Sequence, residues 1–250
     1  MKSKVYTQKG EFLVDFSNPL DISIPLIPGK ESPNCFWAPT FVAEPVVSGD
    51  WIGDTTKGGI VNFKNLKINP HGNGTHTECV GHISKEFASI NETLNTFHFL
   101  SRVYSVYPKK LDNGDLIITL EHVKEIDLED IEALIIRTLP NRNDKLNRMY
   151  SGTNPTYIHH EAIAYIIDQG VAHLLVDLPS VDREEDEGKL LAHHTFWNYP
   201  ATLDTTKTIT ELIFVKELIK DDIYLLNLQI GSFHLDVSPS KPILYEVQRV

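Results

Sequence analysis

Residues 154–182, NPTYIHHEAIAYIIDQGVAHLLVDLPSVD, hold the pattern that says most about the fold class. Four apolar residues recur here at the spacing of one helix face: Ile158, Ala162, Tyr165 and Ile166. Thr156 can cap the start of this helix and Gly170 can end it. Residues 173–177, HLLVD, then have the composition of a buried strand. A helix followed by a buried strand predicts an α/β fold with a mixed sheet flanked by helices.

Strand-like segments on both sides of this unit extend the predicted sheet. In the Pro-rich first third, residues 15–30 and 35–51 are typical of short strands joined by turns. Further strand-like segments are residues 115–123, the end of 128–138, 221–230 and 241–250. No composition break marks a linker, so we expect one domain over residues 1–250.

The composition excludes several classes of protein. A formal net charge of −11 argues against a nucleic-acid surface, because phosphate binding needs clustered Lys and Arg. The chain contains no run of about 20 apolar residues, which a membrane span needs. Cys35 and Cys79 cannot form a disulfide framework, and residues 1–12 lack the apolar core of a signal peptide. We therefore expect a cytoplasmic protein that acts on a small molecule.

Residues 69–84, NPHGNGTHTECVGHIS, concentrate groups that can bind a metal: His71, His76, Glu78 and His82. On an extended segment, His76, Glu78 and His82 would share one face, while Cys79 would point to the other and pack. Imidazole and carboxylate ligands suit Zn or Mn. The alternative is a polar loop in which the histidines fall together by chance.

A second group of candidate ligands lies later in the chain. His193 and His194 are adjacent, and Glu211 follows in the apolar segment TITELIF. A carboxylate in such a setting is costly to bury unless it is paired or ligated. The alternative is an alternating strand on which Glu211 faces solvent.

Candidate walls of a substrate pocket are aromatic. Phe36 and Trp51 belong to an aromatic-rich N-terminal third, and Trp197 follows the second histidine group. Core packing is the alternative for this N-terminal aromatic cluster. The acidic run DREEDEGK, residues 182–189, predicts a solvated loop in which Asp182 could help to shape the site.

Five segments in order along the chain resemble one family. GTHTECVGH, residues 74–82, resembles the H-x-G-T-H-x-D-A-P-x-H signature of the metal-dependent cyclase and kynurenine formamidase family. The other similar segments are FLVDFSNPL (12–20), ALIIRT (133–138), VDLPSVD (176–182) and DVSPSKPIL (236–244). The resemblance implies a swivelling β/β/α-type, cyclase-like fold, usually a homodimer or homotetramer. It also implies one or two divalent ions, Zn or Mn.

The resemblance also implies a role for each candidate residue. The implied metal ligands are His71, His76, Glu78, His193 and Glu211, with His194 as the alternative to His193. His82 corresponds to the histidine that assists proton transfer, and Glu78 is implied to be catalytic as well as a ligand.

The chain departs from the family signature at several positions. The first family histidine falls where this chain has Gly72, so His71 lies one residue too early and Asn73 would be an insertion held in a bulge. Glu78 replaces the usual aspartate, and Lys241 lies near the usual arginine. These changes affect the expected substrate more than the expected chemistry.

The function implied is hydrolysis of a C–N bond in a small, aromatic amide by metal-activated water, as in kynurenine formamidases. Hydrolysis of a lactone or cyclic amide, or a polyketide-type cyclase or dehydratase reaction, would use the same ligands. A non-catalytic metal-binding member of the fold is a further alternative, favoured by the shifted His71.

Overall fold

The computed structural model describes residues 1–29 and 31–250, so Lys30, at the end of one predicted strand segment, lies outside the described residues. The strands are β1 Lys2–Thr7, β2 Gly10–Asp15, β3 Leu20–Asp21, β4 Val42–Pro45, β5 Val47–Ser48, β6 Trp51–Ile52, β7 Lys64–Lys67, β8 His76–Glu78, β9 His98–Val106, β10 Lys109–Lys110, β11 Leu116–Ile118, β12 Ala133–Thr138, β13 Tyr157–Ile158, β14 His173–Val176, β15 Thr208–Glu211, β16 Ile223–Ile230 and β17 Val237–Arg249. The helices are α1 Pro70–Asn73, α2 Ile90–Thr93, α3 Leu120–Lys124, α4 His160–Asp168 and α5 Leu191–Trp197.

The central sheet closes into a ring. Its strands follow the order β17-β16-β9-β12-β14-β15-β8, and β8 pairs with β17 again. Strands β9, β12, β14 and β15 are parallel, whereas β16, β17 and β8 pair antiparallel with their neighbours. The N-terminal hairpin β1–β2 continues the sheet from the far end of β17. The predicted mixed α/β sheet is therefore confirmed.

The core forms where the parallel strands meet the helices. Strands β12 and β14 are buried at every position, which explains their continuous apolar sequence. Helix α4 packs beside α3 and α5 through its buried Ala162, Ile163 and Ile166. A single loop, residues 177–190, connects β14 to α5.

Two local predictions differ from the structure. Thr156 does not cap α4, because Tyr157 and Ile158 pair with β11 as strand β13 and the helix begins only after His159. The His159 side chain instead accepts a hydrogen bond from the Glu161 N–H. The end of the helix agrees with the prediction, since Gly170 adopts a φ of 88° just beyond it.

The segment 115–123, predicted as strand-like, is a strand only over β11. Thr119 then begins α3 through a reciprocal cap with His122. Among the residues that the structure describes, no helix combines the length and apolarity required to span a membrane.

Buried His173 makes the stability of the fold depend on pH. Its Nδ1 lies 2.8 Å from the Thr208 hydroxyl, its ring packs on Phe99, and burial lowers its pKa to about 4. In the unfolded chain a histidine titrates near 6.5, so between these values the unfolded state binds more protons. We expect the free energy of unfolding to fall by about 3 kcal/mol from this group as the pH decreases from 6.5 to 4.

Urea unfolding of the wild type and a His173→Asn variant at pH 7, 5.5 and 4 measures this effect. The stability advantage of the wild type should shrink as the solution is acidified. An advantage independent of pH would contradict the prediction.

Candidate metal centre

Strand β8 places two of the predicted ligands on one face of the ring. His76 and Glu78 are fully buried, and Glu211 lies directly across from His76 in the register of β15. His76 Nε2 is 3.4 Å from Glu211 Oε2. Glu211 is 3% exposed, so it does not face solvent, and its Oε1 accepts a hydrogen bond from the Val181 N–H.

Glu78 is the common contact of three histidines. Its Oε1 lies 3.0 Å from His193 Nε2, and its Oε2 lies 3.1 Å from His71 Nδ1. His82 Nδ1 is 3.8 Å from the same Oε2. The two histidine groups of the sequence therefore converge on one carboxylate. Cys79 is buried beside it with Sγ against the Ala88 carbonyl, in agreement with a packing role.

Asp182 orients the side chain of His193, which lies in the first turn of α5. Asp182 accepts hydrogen bonds from the Ala192 and His193 N–H groups, and its Oδ2 lies 2.6 Å from His193 Nδ1. This contact turns His193 Nε2 toward Glu78. His194 points elsewhere, with Nδ1 2.8 Å from the Tyr199 carbonyl. Of the two alternatives, the structure brings His193 to the site.

His71 reaches the site from the single helical turn α1. The turn is capped by the Asn69 side chain, and buried Asn73 bonds back to the Asn69 N–H. The expected bulge at Asn73 is therefore wrong, because the segment is helical. Gly72 packs so tightly against Ala38 and the Cys35 carbonyl that a side chain there would clash. This close packing explains why the histidine stands at position 71 rather than 72.

Asp236 was missed as a site residue by the sequence analysis. Its Oδ2 lies 3.0 Å from His71 Nε2 and 3.6 Å from His82 Nδ1. Its backbone carbonyl accepts the Cys79 N–H, which fixes the 236–244 segment beside the histidine segment. The sequence does contain a signal for it, since Asp236 is the first residue of DVSPSKPIL, a segment that resembles the family.

The carboxylates determine the protonation of the site. Burial would lower the pKa of His71, but its hydrogen bond to Asp236 and the nearby charge of Glu78 raise it to about 10. Burial would likewise lower the pKa of His193, but Asp182 and Glu78 raise it to about 10. Burial opposes ionisation of Glu78, yet the charges of His82 and the other histidines hold its pKa well below the usual value.

The donor atoms fit a divalent cation. Within the described part of the chain, His76 Nε2 and Glu78 Oε2 are buried without a hydrogen-bond partner. His76 Nδ1 donates to the Gly74 carbonyl, so Nε2 of a neutral His76 carries the free lone pair. Two compact donor groups, His71–His76–Glu78 and Glu78–His82–His193, share Glu78. Buried polar atoms without partners are rare, and ligation by Zn or Mn would satisfy both.

A cavity of about 650 Å³ opens over this cluster. His71, His82, His193 and Glu211 line it together with Phe36. Of the three predicted aromatic walls, only Phe36 is therefore found at the cavity among the described residues.

The other two predicted wall residues, Trp51 and Trp197, pack against other parts of the fold. Trp51 sits on the β5–β6 hairpin with its ring against Phe63. Trp197 is fully buried, with its ring 5.6 Å from that of His193 and its Nε1 bonded to the Lys207 carbonyl. Neither residue lines the cavity over the cluster, so the structure does not place either predicted wall there.

The fold and the site define the class of this protein: an α/β protein with a histidine–carboxylate centre. Comparisons with known proteins agree with this class. The family model described as "Putative cyclase" matches residues 14–183, so the chain belongs to the cyclase family. A kynurenine formamidase from Bacillus cereus is 24% identical over 204 residues, which cover 78% of this chain and 90% of that protein.

Two solved structures share the fold. One is titled "The Structure Of Potential Metal-Dependent Hydrolase With Cyclase Activity", with a TM-score of 0.66, 14% identity and coverage of 91% of this chain and 97% of that one. The other is isatin hydrolase A from Labrenzia aggregata, with a TM-score of 0.66, 14% identity and coverage of 92% and 94%. The predicted cyclase-like fold is confirmed.

Asp236 is expected to support the shifted His71 as a ligand. A carboxylate behind a metal-binding imidazole fixes its orientation and raises its basicity, and loss of such a partner typically weakens metal affinity 10–100-fold. We expect Asp236→Asn to lower Zn affinity by about this factor. Competition with a chromophoric chelator measures it, and Asp222→Asn, at an exposed carboxylate, is the control. Equal affinities in the wild type and Asp236→Asn would contradict the role.

Proposed function

We propose that this protein is a metal-dependent amidohydrolase that cleaves a C–N bond of a small, aromatic amide. The observation that carries the proposal is the pair of buried, unpartnered ligand atoms, His76 Nε2 and Glu78 Oε2, beside a cavity in a cyclase-family fold. His71, His76, Glu78, His193 and Glu211 are the proposed holders of one or two divalent ions. A bound ion would lower the pKa of a coordinated water to about 7 and polarise the amide carbonyl.

His82 is the proposed proton-transfer residue. It lines the cavity and is partly exposed, unlike the fully buried His76. Its Nδ1 faces Asp236 and Glu78, which leaves Nε2 as the nitrogen that can exchange a proton with substrate. A histidine in this position can take up a proton during attack and deliver it to the leaving amine.

The cavity supports a small substrate. Its volume of about 650 Å³ lies in the range of small-molecule sites, and Phe36 offers an aromatic contact. The relative from Bacillus cereus is named for formamide cleavage in kynurenine metabolism, and the fold neighbour from Labrenzia aggregata for hydrolysis of isatin, a cyclic amide. An aryl formamide is therefore the first candidate substrate and a cyclic aryl amide the second.

The test combines metal content with a panel of substrates. Protein purified without chelator, and protein reconstituted with Zn or Mn, is assayed with N-formylkynurenine, formanilide, isatin and an aryl lactone. We expect bound metal, hydrolysis of at least one amide, and loss of that activity after chelation. Tight metal binding without turnover of the panel would favour the non-catalytic alternative. Absence of metal binding after reconstitution would refute the proposal.

We also propose that residues 1–250 act as one domain within a homodimer or homotetramer. Exposed apolar side chains around β4–β7, such as Val47, Ile60, Phe63 and Leu66, support self-association. Light scattering on the purified protein gives the number of chains.

A further inference from the structure

One wall of the cavity is formed by the acidic run after Asp182. Glu184, Glu185, Asp186 and Glu187 all line it, and Arg183 is the basic residue among them. The run is largely exposed, as expected for a solvated loop, and it also lines the cavity. Its charge therefore acts on whatever enters the cavity.

Arg183 does not compensate this charge, because its guanidinium is already engaged. It pairs with both carboxylate oxygens of Asp115, at 3.0 and 3.2 Å, and donates to the Glu185 carbonyl. The pair also fixes the start of the acidic wall to the rest of the fold. Glu187 pairs with Lys189 at the outer surface.

The remaining wall carboxylates receive only neutral donors. Glu184 accepts the Gly152 N–H, and Asp186 accepts N–H groups at Gly188 and Leu190. The Glu185 side chain has neither a hydrogen bond nor an ion pair in residues 1–29 and 31–250. The wall therefore keeps a net negative charge next to the cavity.

Phe36 lines the same cavity as this wall. It has a φ of 53°, a conformation that side chains other than glycine rarely adopt, and it is 42% exposed. An aromatic ring and carboxylates that line one cavity form a favourable environment for an ammonium group.

The floor of the same cavity independently points to a ligand. Glu211 and His193 line the cavity and contact buried His76 and Glu78, whose Nε2 and Oε2 atoms have no hydrogen-bond partner among the described residues. A molecule held beside Glu211 and His193 therefore occupies the cavity that Phe36 and the acidic wall also line.

We propose that this cavity selects amides that carry an ammonium group remote from the scissile bond, over amides whose remote group is neutral or is a carboxylate alone. The proposal rests on the proposed function and names the substrate class of that site. Glu184 and Glu185 are the residues that determine the selection.

The experiment compares three matched probes: formanilide and its para-aminomethyl and para-carboxylate derivatives. For each probe, kcat/KM and equilibrium binding by calorimetry are measured on metal-loaded protein at low salt. We expect the cationic probe to exceed the anionic one by about tenfold or more in either quantity, and the ratio to shrink in 0.5 M NaCl.

The double variant Glu184→Gln/Glu185→Gln should reduce the ratio to about threefold or less, since glutamine keeps the shape and the acceptor for Gly152 but removes the charge. Glu217→Gln, at an exposed carboxylate outside this cavity, should leave the ratio unchanged. An equal or reversed preference in the wild type, or a ratio unaffected in the double variant, overturns the inference. Charge-selective binding without hydrolysis of any probe would refute the proposed function while supporting this inference.

Discussion

Glu78→Ala is expected to remove the bound metal and to lower hydrolysis by about 10³-fold or more, because the several kcal/mol that a Lewis acid supplies are lost with it. Glu78 lies within 3.8 Å of three histidines. One compact donor group contains buried His76 and another contains buried His193, and Glu78 belongs to both groups. Glu211 also reaches one histidine of each group, His76 at 3.4 Å and His193 at 3.9 Å, but Glu78 contacts three histidines. Metal content by elemental analysis and kcat/KM on the same samples measure the effect.

Two conservative variants separate charge from length. Glu78→Gln keeps the shape and removes the charge, so we expect it to lose metal almost as completely as alanine. Glu78→Asp restores the family's usual residue but shortens the arm, which moves the carboxylate away from the histidines that it contacts. We expect weakened rather than abolished binding. Glu92→Gln, at an exposed carboxylate, is the control, and circular dichroism verifies folding. Full metal content in Glu78→Ala would contradict the assignment.

Lys145→Met is expected to destabilise the fold by about 3–5 kcal/mol, since it leaves a buried carboxylate without its partner. Lys145 Nζ lies 2.7 Å from Asp177 Oδ2, and both side chains are almost completely buried. Lys145 Nζ also donates to the Thr138 carbonyl. Asp177 immediately follows β14, at the start of the loop that delivers Val181 to Glu211 and Asp182 to His193. Loss of the pair should therefore weaken the site as well as the fold.

The pH dependence of Lys145→Met gives a second measurement. Burial already raises the pKa of Asp177 even with the lysine present, and removal of the lysine raises it further. A folded-state pKa above the unfolded value means that stability falls as the pH rises, so the variant should be least stable at neutral to alkaline pH. Urea unfolding at pH 5 and 8 measures this. The double variant Lys145→Met/Asp177→Asn should recover part of the loss, and a wild-type midpoint in the single variant would contradict the prediction.

The predictions from the sequence were correct for those segments whose local pattern of residues agrees with the way they pack in the fold. The apolar runs of β12 and β14 follow from burial on both faces of a parallel sheet. His76, Glu78 and His82 were found because they lie within one short segment. Glu211 was suspected because a carboxylate in an apolar strand needs a partner.

Contacts between distant segments could not be predicted in the same way. Asp236 meets His71 across 165 residues of sequence, a contact created only when β17 pairs with β8. Thr156 looked like a helix cap, but pairing of the next two residues with β11 overrode that local preference. Trp51 and Trp197 looked like pocket walls because composition does not show which way a ring faces.

Strand β8 has no free edge, since β15 bonds one side of it and β17 the other. His76 and Glu78 therefore cannot slide in register or fray independently of the ring, although β8 itself is only three residues long. The backbone amides of β8 that are bonded within the sheet should exchange with solvent as slowly as those of β12, through opening of the whole sheet rather than of one segment. The histidine and the carboxylate are thus kept in fixed relative positions by a strand that is paired on both sides.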